Sequence, residues 1–447
     1  MRYPNYCATP EAIWFSSVPS TWRATKMREV FSERREKGSD KDYAPLSVGK
    51  MGVVPQLETA VKTDNGDNRK LIRKGDFAIN SRSDRKGASG ISEYDGSSSL
   101  IITVLKPHNE LNGKFYHYLL RSHYFTEEFY RNGRGLVSDL WTTRWEEMKN
   151  IYIPIPPRDE QDHIVRFLDW KVSTVNKLIN AKRQEIKSLV ELKRSMVSSV
   201  VTRGLSQNVP MKNSGVKWLG DIPAHWEIVP LCAIAKEKSI CDCVDLPLLS
   251  VYLDEGVILF SEKEEKRTNV TSKDLSKYQR VDPGDFVLNN QQAWRGSVGV
   301  SNHTGIVSPA YIVASLDDTL DRTYANYLLR SRKMVDQYLV ISRGVGSIQR
   351  NIYWTSLKRV VVPVPPKEEQ KMIVSNLEES DRKLSEAADR LKREIETLEE
   401  YKTKLIADVV TGKIDVRGIE IPEYEFVEEV GIDETDEDSD NTDDEES

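Results

Sequence analysis

The sequence predicts an α/β (α+β) fold built as a tandem repeat of two globular domains, each followed by one long helix. Three observations predict it. The phrase IYIPIPPRDEQ, which begins at residue 151, returns as VVVPVPPKEEQ at residue 360, 209 residues later. Before each phrase, short β-branched and aromatic runs alternate with Gly and Asn turns, a pattern typical of strands. After each phrase, neither Pro nor Gly occurs until Gly204 or Gly412, which indicates an unbroken helix.

Further matches indicate that the whole unit is duplicated. The tetrapeptide KGDF at 74–77 returns 209 residues later as PGDF, and YLLRS at 118–122 returns unchanged. Nearer the N-terminus the spacing is 204 residues, and VPSTW at 18–22 corresponds to IPAHW at 222–226. A match over this length indicates a duplicated domain, because solenoid repeats have periods of only about 20–50 residues.

The elements follow in the same order in both copies. Runs such as GDFAINS and SLIITVL predict strands, and an amphipathic stretch at 115–131 predicts a helix, with a counterpart at 322–340. The repeated phrase predicts a strand-to-helix junction, because Pro fits the first helical turn, where its missing N–H leaves no bond unmade. The two acids that follow the prolines place negative charge at the positive end of the helix dipole.

These signals set the predicted boundaries. A helix of 44 residues is roughly 66 Å long at 1.5 Å per residue, which exceeds the reach of a 150-residue globule. We predict, in order, a globular domain at 1–158, a long helix at 159–204, a linker at 205–213, a globular domain at 214–366, a long helix at 367–412 and an acidic tail at 413–447.

The long helices carry apolar residues at seven-residue spacing, which predicts that each packs on a partner helix. Lys182 interrupts this pattern in the first helix, either to set the register or as a surface lysine whose stem lies along the apolar seam. The residues expected to pack are Leu168, Val175, Leu189 and Met196 in the first helix and Leu377, Leu384, Leu391, Leu398 and Leu405 in the second.

Composition limits the class of protein. The longest apolar runs reach about five residues, whereas a membrane span needs roughly 18–20. The N-terminus lacks the layout of a signal peptide, so we expect a cytoplasmic protein. The four cysteines show no metal-binding spacing, which predicts reduced thiols and no metal site.

The net charge of −6 conceals a basic protein. The segment from Gly418 to Ser447 has 15 acids and no Lys or Arg, so residues 1–417 carry a formal charge of +9. Such a charge run favours a disordered, solvated tail, whereas the basic remainder favours nucleic acid as a partner.

Catalytic motifs are absent from the sequence. It has no GxxxxGK[ST] loop, no strand-associated GxGxxG, no [NDS]-P-P-[YFW] methyltransferase tetrapeptide and no HExxH. Asp76 and Asp285 follow glycines, where Asp commonly forms turns. The sequence therefore predicts a binding protein without an active site.

Polar loops supply candidate DNA contacts, with a plain hydrophilic hairpin as the alternative interpretation of each. After each Gly-Asp strand both copies place G-x-x-G in one register, and Arg, Gln and Asn are the side chains that read base edges. These candidates are Arg82, Arg85 and Lys86 in the first copy and Gln291, Gln292, Trp294 and Arg295 in the second.

Two further segments add candidates. Residues just before the repeated phrase are suited to phosphate or base contacts, whereas Trp145 and Trp354 are expected in the core. The candidates there are Arg134, Thr143, Arg144, Arg343, Gln349 and Arg350, and a turn nearer the start of each copy adds Ser47, Lys50 and Tyr252.

The order of these motifs resembles the DNA specificity (S) subunit of type I restriction–modification enzymes. The residues that carry the resemblance are WLGDIPAHW at 218–226, the paired GDF and YLLRS motifs, PIPPRDEQ, PVPPKEEQ and VVTGKIDVRG at 409–418. It extends over residues 1–417. The N-terminal YCATPEAIWFSSVPSTW keeps the tryptophans and a proline but lacks the LG pair.

The resemblance implies two target recognition domains that read the halves of a split site in double-stranded DNA. It also implies that the helices pack as an antiparallel coiled coil, which spaces the half-sites and docks two methylation subunits. S-adenosylmethionine would belong to those subunits, and ATP and Mg²⁺ to motor–nuclease restriction subunits, so no cofactor is expected in this chain.

Two alternatives remain at the level of sequence. One is a stand-alone duplicated DNA-binding regulator, which explains the polar loops but has less need of 44-residue helices. The other is a coiled-coil scaffold that binds only protein, which explains the helices but gives no use to the basic charge. A methyltransferase or nuclease is disfavoured by the missing motifs.

Overall fold

A computed structural model describes residues 2–57, 66–82, 87–108, 112–135, 141–206, 208–253, 255–262, 274–345 and 349–430. The chain divides into two compact units. Among the described residues, the first unit combines 2–182 with 392–430, and the second consists of 183–391. Each unit therefore contains one globular domain, the beginning of the helix that follows it and the end of the other long helix.

The first globular domain consists of short strands followed by three helices and a last strand. Its strands are β1 (Tyr6–Ala8), β2 (Ser17–Pro19), β3 (Arg23–Lys26), β4 (Phe31–Glu33), β5 (Lys37–Gly38), β6 (Leu46–Gly49), β7 (Gly52–Pro55), β8 (Arg69–Ile72), β9 (Phe77–Asn80), β10 (Ser89–Ile91), β11 (Gly96–Ser98) and β12 (Ile102–Pro107). Helices α1 (Gly113–Arg121), α2 (His123–Arg131) and α3 (Trp145–Met148), strand β13 (Tyr152–Ile155) and the long helix α4 (Arg158–Arg203) follow.

The second globular domain has the corresponding elements. Its strands are β14 (Met211–Asn213), β15 (Asp221–Pro223), β16 (Glu227–Pro230), β17 (Ala235–Lys238), β18 (Leu249–Tyr252), β19 (Gly256–Leu259), β20 (Gln279–Val281), β21 (Asp285–Asn289), β22 (Val298–Val300), β23 (Gly305–Val307), β24 (Tyr311–Leu316), β25 (Arg343–Val345), β26 (Gln349–Asn351) and β27 (Val361–Val364). Its helices are α5 (Arg322–Leu329), α6 (Arg332–Ile341), α7 (Trp354–Leu357) and the long α8 (Lys367–Val410).

Both domains use the same central sheet. In the first the antiparallel order is β10-β9-β12-β4, and in the second it is β22-β21-β24-β17. The strand that starts at the repeated Gly-Asp motif lies inside the sheet and is buried on both faces, as its apolar run FAIN or DFVLN requires. In each domain the buried aromatic side chains of the first two helices join the sheet core, with Phe115 in the first and Tyr324 in the second.

A buried ion pair fixes the start of this central strand in each domain. Asp76 is 2% exposed and accepts two hydrogen bonds from the Arg34 guanidinium, at 2.6 and 3.0 Å. In the second domain Asp285 accepts from Lys238 Nζ at 2.6 Å. The motif aspartate thus forms a turn, as predicted, because its carboxylate also accepts from the backbone N–H three residues earlier, that of Arg73 at 2.8 Å in the first domain. The cation that pairs with this aspartate was not predicted from the sequence.

The repeated phrase forms the strand-to-helix junction. Gln161 Nε2 donates to Pro156 O at 2.9 Å, and Gln370 Nε2 donates to Pro365 O at 2.8 Å. The repeated glutamine therefore binds the helix to the carbonyl of the first residue in the Pro-Pro pair. The acid just before it binds the domain, since Glu369 accepts from Trp226 Nε1 at 2.9 Å.

Each long helix ends on a globular domain. Gly204 and Gly412 follow the last turns with φ of +76° and +74°, a conformation that glycine adopts freely. A Cβ at Gly412 would lie 2.5 Å from Pro19 and 3.2 Å from Trp22, and one at Gly204 would lie 3.2 Å from Trp226. The end of α8 therefore packs on the first domain, and the end of α4 packs on the second.

Inside each unit the two helix segments lie side by side. In the first, Lys182 pairs with Glu394, and Lys402 Nζ donates to Asn176 Oδ1 at 3.2 Å. In the second, Lys193 pairs with Asp381. Among the residues predicted to pack, Leu168, Val175, Leu377, Leu391 and Leu405 are buried, and Leu189, Met196, Leu384 and Leu398 are partly buried.

Part of the segment expected to be a disordered tail lies on the first unit. Val416 is fully buried, and Ile414, Ile419 and Ile421 pack against the domain core. These apolar residues explain the contact, because they give the segment a face to bury. The prediction of disorder stays a prediction for residues 431–447, which lie outside the described residues.

None of the helices in the described part of the chain has an apolar stretch long enough to cross a bilayer. The same residues contain no group of three or more His, Cys, Asp or Glu side chains that could hold a metal ion.

Replacing Asp76 with alanine should destabilise the first unit by about 3–5 kcal/mol, because it removes the buried carboxylate and leaves the buried Arg34 guanidinium paired only with the exposed Glu36, at 2.9 Å. Urea unfolding measures this loss. Asp95→Ala is the matched control, because its pair with Arg73 is exposed to solvent and should contribute little to stability. Equal losses in the two variants would contradict the importance of the buried pair.

Candidate nucleic-acid interface

Two candidate segments of the first domain meet. The N–H of Thr143 donates to Ser81 O at 2.9 Å, and Arg134 and Thr142 exchange two backbone hydrogen bonds, each of 2.9 Å. Arg82 also forms an isolated antiparallel β-bridge with Thr142. The loop after β9 and the segment before α3 are therefore one structure, and they bring together two arginines that lie 52 residues apart in the sequence.

The side chains on this structure differ in exposure. Arg82, Arg134 and Arg144 are exposed and available to a ligand. Thr143 is 2% exposed, and its hydroxyl donates to Phe129 O at 2.9 Å, so this side chain supports the loop. Arg85 and Lys86 lie outside the described residues.

An aromatic residue that is not among the predicted contacts, Trp141, lies beside the same segments. Trp141 Nε1 donates to Tyr130 O at 2.9 Å, and the two rings lie 6.1 Å apart. Together with Arg82 and Thr126 they line a shallow cleft. The signal was present in the sequence as the first tryptophan of DLWTTRW, because an aromatic ring beside arginines is suited to stacking on bases.

The second domain brings the corresponding segments together. The N–H of Ile352 donates to Asn290 O at 2.9 Å, which joins the end of hairpin β25–β26 to the loop after β21. Trp294 lies in that loop, with the Arg295 guanidinium 4.7 Å and the Arg350 guanidinium 6.0 Å from its ring centre. The result is a cationic and aromatic cluster, hereafter the Trp294 cluster.

The remaining candidates of the second domain flank this cluster. Gln291 is exposed, and its backbone carbonyl accepts a hydrogen bond from Trp294 Nε1 at 2.7 Å, while Gln292 is partly buried. Arg343 is exposed on β25. Gln349 lies on β26, and its side chain is outside the described set.

The third candidate segment is the hairpin β6–β7, with its counterpart β18–β19. Ser47 and Tyr252 are partly buried and Lys50 is exposed. The arginine of YLLRS holds each turn: Arg121 donates to Lys50 O, and Arg330 donates to Leu253 O at 3.2 Å. The repeated motif therefore has a structural role in both copies.

The G-x-x-G glycines also have structural roles. Gly87 and Gly296 adopt φ of +80° and +121°, which favours glycine. A Cβ at Gly90 would lie 3.0 Å from Gly52 Cα, and one at Gly299 would lie 3.1 Å from Val257 N. The second glycine thus permits close approach to the neighbouring hairpin.

A histidine in the first domain takes the place of an asparagine in the second. His117 Nδ1 lies 3.4 Å from the Ile91 N–H, and Asn326 Oδ1 accepts from the Val300 N–H at 3.0 Å. Burial, followed by the charge of the Arg121 guanidinium, lowers the pKa of His117 to about 4. The ring is therefore neutral at pH 7 and holds the strand that leaves the candidate loop.

Comparison with known proteins identifies the family. The family model for the type I restriction modification DNA specificity domain matches residues 19–188 and 247–397, one match in each repeat. These matches cover more than half of the chain.

Two curated relatives come from Methanocaldococcus jannaschii. One, provisionally named the specificity subunit of type I restriction enzyme MjaX, is 23% identical over 427 residues, which are 90% of this chain and 95% of the relative. The other is the specificity subunit of type I restriction enzyme MjaVIII, 26% identical over 61% of this chain and 64% of its own length. A chain solved in a study of assembly and conformational transition in the type I system has the same fold, with a TM-score of 0.59 and 17% identity over 89% of this chain and 99% of its own.

We expect His117→Asn to keep the fold and to reduce the acid sensitivity of the first unit. Because the folded state holds the pKa of His117 near 4, below the ordinary 6.5, the unfolded chain binds more protons between those values, and stability is lost as pH falls through that window. Thermal unfolding measured between pH 7 and pH 4 tests this. An unchanged profile in His117→Asn would contradict the assignment.

Proposed function

The chain belongs to the type I restriction modification DNA specificity family, and on that premise we propose that it reads a bipartite DNA target with one globular domain per half-site. It is a specificity subunit, and its role is recognition rather than catalysis. One observation carries the proposal for the binding surface. In both domains, two segments far apart in sequence join through backbone hydrogen bonds. In the second domain two arginines lie over the Trp294 ring, and in the first Arg82 lines one cleft with Trp141.

The chemistry of these surfaces fits double-stranded DNA. Arginine binds phosphate and pairs with guanine edges, and the exposed Arg82, Arg134 and Arg144 serve the first half-site in this proposal. The Trp294 cluster, with Gln291 and Arg343, serves the second. Because the scaffold is shared and the loop residues differ, the two domains are suited to reading different sequences.

The helices are proposed to form an antiparallel coiled coil that spaces the half-sites. The cross-helix contacts support this direction, because inside the first unit Asn176 meets Lys402 and Lys182 meets Glu394, so numbering falls along one helix as it rises along the other. Lys182 therefore has a charged partner on the other helix, which favours the register role over a lysine that merely reaches to the surface.

The proposed partners follow from the family. Two methylation subunits would dock on the helices and would bind S-adenosylmethionine, and motor–nuclease restriction subunits would bring ATP and Mg²⁺. We place the assembly in the cytoplasm. In this scheme residues 1–158 and 214–366 are the target recognition domains.

Replacing Arg295 and Arg350 with alanine should weaken binding by about 1–3 kcal/mol for each base that these arginines no longer read, and should relax selection in one half-site only. Selection of bound duplexes from a randomised pool, with the methylation subunits present, measures both effects. Altered selection in both half-sites, or in neither, would refute the assignment of the Trp294 cluster.

Proline in place of Leu391 should break α8 at a cost of about 3 kcal/mol or more and abolish co-purification with the methylation subunits. Leu391→Ala, which removes the same buried side chain but keeps the helix, should retain the complex. If Leu391→Pro still co-purifies with those subunits, the docking role of the helix is wrong.

A further inference from the structure

The segment 424–430, hereafter the acidic strap, lies along one face of α4. Ser173 Oγ donates to Glu425 O at 2.7 Å and accepts from the Val427 N–H at 2.9 Å. Asn176 Nδ2 donates to Val427 O at 3.0 Å. Ser173 and Asn176 are only 1% and 4% exposed, so the strap covers the groups that bind it.

The next polar residue on this face continues the pattern. Asn180 Nδ2 donates to Glu428 O at 3.0 Å, and its Oδ1 accepts from the Val430 N–H at 3.1 Å. All five bonds go to the main chain of the strap. Residues 173, 176 and 180 are spaced to share one helix face, so together they recognise a peptide backbone regardless of its side chains.

Charge supplies the selectivity that backbone bonds lack. Lys402 of α8 pairs with Glu429, and its side chain is 17% exposed, which strengthens the pair relative to a surface one. Lys177 lies 4.0 Å from Glu425. Lys402 also bonds Asn176, so this one lysine connects both long helices to the strap.

The second repeat lacks this arrangement. At the spacing of 209 residues, Ser173, Asn176 and Asn180 correspond to Arg382, Ser385 and Asp389. The combination of Ser173, Asn176 and Asn180 is therefore particular to the first repeat, whose helix binds the strap.

We propose that Ser173, Asn176 and Asn180, with Lys402, form a peptide-binding groove for an acidic segment, and that the acidic strap fills it reversibly in cis. The apolar residues before the strap, Ile419 and Ile421, pack on the domain core and hold it near the groove at high effective concentration. The strap in the groove ties the two long helices together in the first unit, and its release opens the groove to another acidic peptide.

A charge-reversed full-length variant tests the groove. Glu425→Lys with Glu429→Lys should expel the strap, so that hydrogen exchange in 424–430 becomes about tenfold faster or more. Glu423→Lys with Glu428→Lys changes the net charge equally at two acids for which the described residues show no ion pair, and should leave exchange unchanged. Circular dichroism checks that each variant is folded.

A labelled synthetic peptide of residues 420–430 then probes the empty groove by fluorescence anisotropy. It should bind the Glu425→Lys, Glu429→Lys variant about tenfold or more tightly than the wild type, where the tethered strap competes. Adding Asn176→Ala and Asn180→Ala to that variant should remove the binding. Unchanged exchange in the charge-reversed variant, no peptide binding to it, or equal binding to the wild type would each overturn the proposal.

Discussion

The structure depends on how each long helix begins and ends. A helix starts where a glutamine bonds the carbonyl of the junction proline, and it ends at a glycine whose missing side chain admits a Pro–Trp pair of a globular domain. A Cβ at Gly412 would collide with Pro19, so no residue other than glycine fits at this helix end in the same conformation. Each domain is thereby held by the start of one helix and the end of the other, and the placement of its loops follows from those two contacts.

The parts of the fold that depend on local chemistry were readable from the sequence. Prolines followed by acids predicted helix starts at 159 and 367, and the structure begins those helices at Arg158 and Lys367. The buried Arg34–Asp76 pair was not readable, because its partners lie 42 residues apart and the aspartate alone looks like a turn former. For the same reason each candidate loop could be proposed from the sequence, but not the backbone pairing with Thr142 that joins them.

The two repeats show which features the scaffold fixes and which it leaves free. A cation pairs with the buried aspartate at the start of the central strand in both copies, but it is Arg34 in one and Lys238 in the other. A side chain on the first helix of each domain accepts a hydrogen bond from the backbone of a sheet strand, and His117 and Asn326 serve in this way. The exposed loop residues share even less, with Arg82 and Arg134 in one copy and Gln291 and Arg343 in the other. Duplication thus kept the geometry while the exposed loop side chains diverged.

The packing of the end of α8 on the first domain also affects how the chain folds while it is synthesised. The second unit draws its described residues from one continuous stretch, Arg183–Leu391, whereas the first needs Met1–Lys182 together with Lys392–Gly431. Domains fold as units while the ribosome adds residues from the N-terminus. The domain encoded first must therefore wait for the last part of the chain, and the domain encoded second can complete its core earlier.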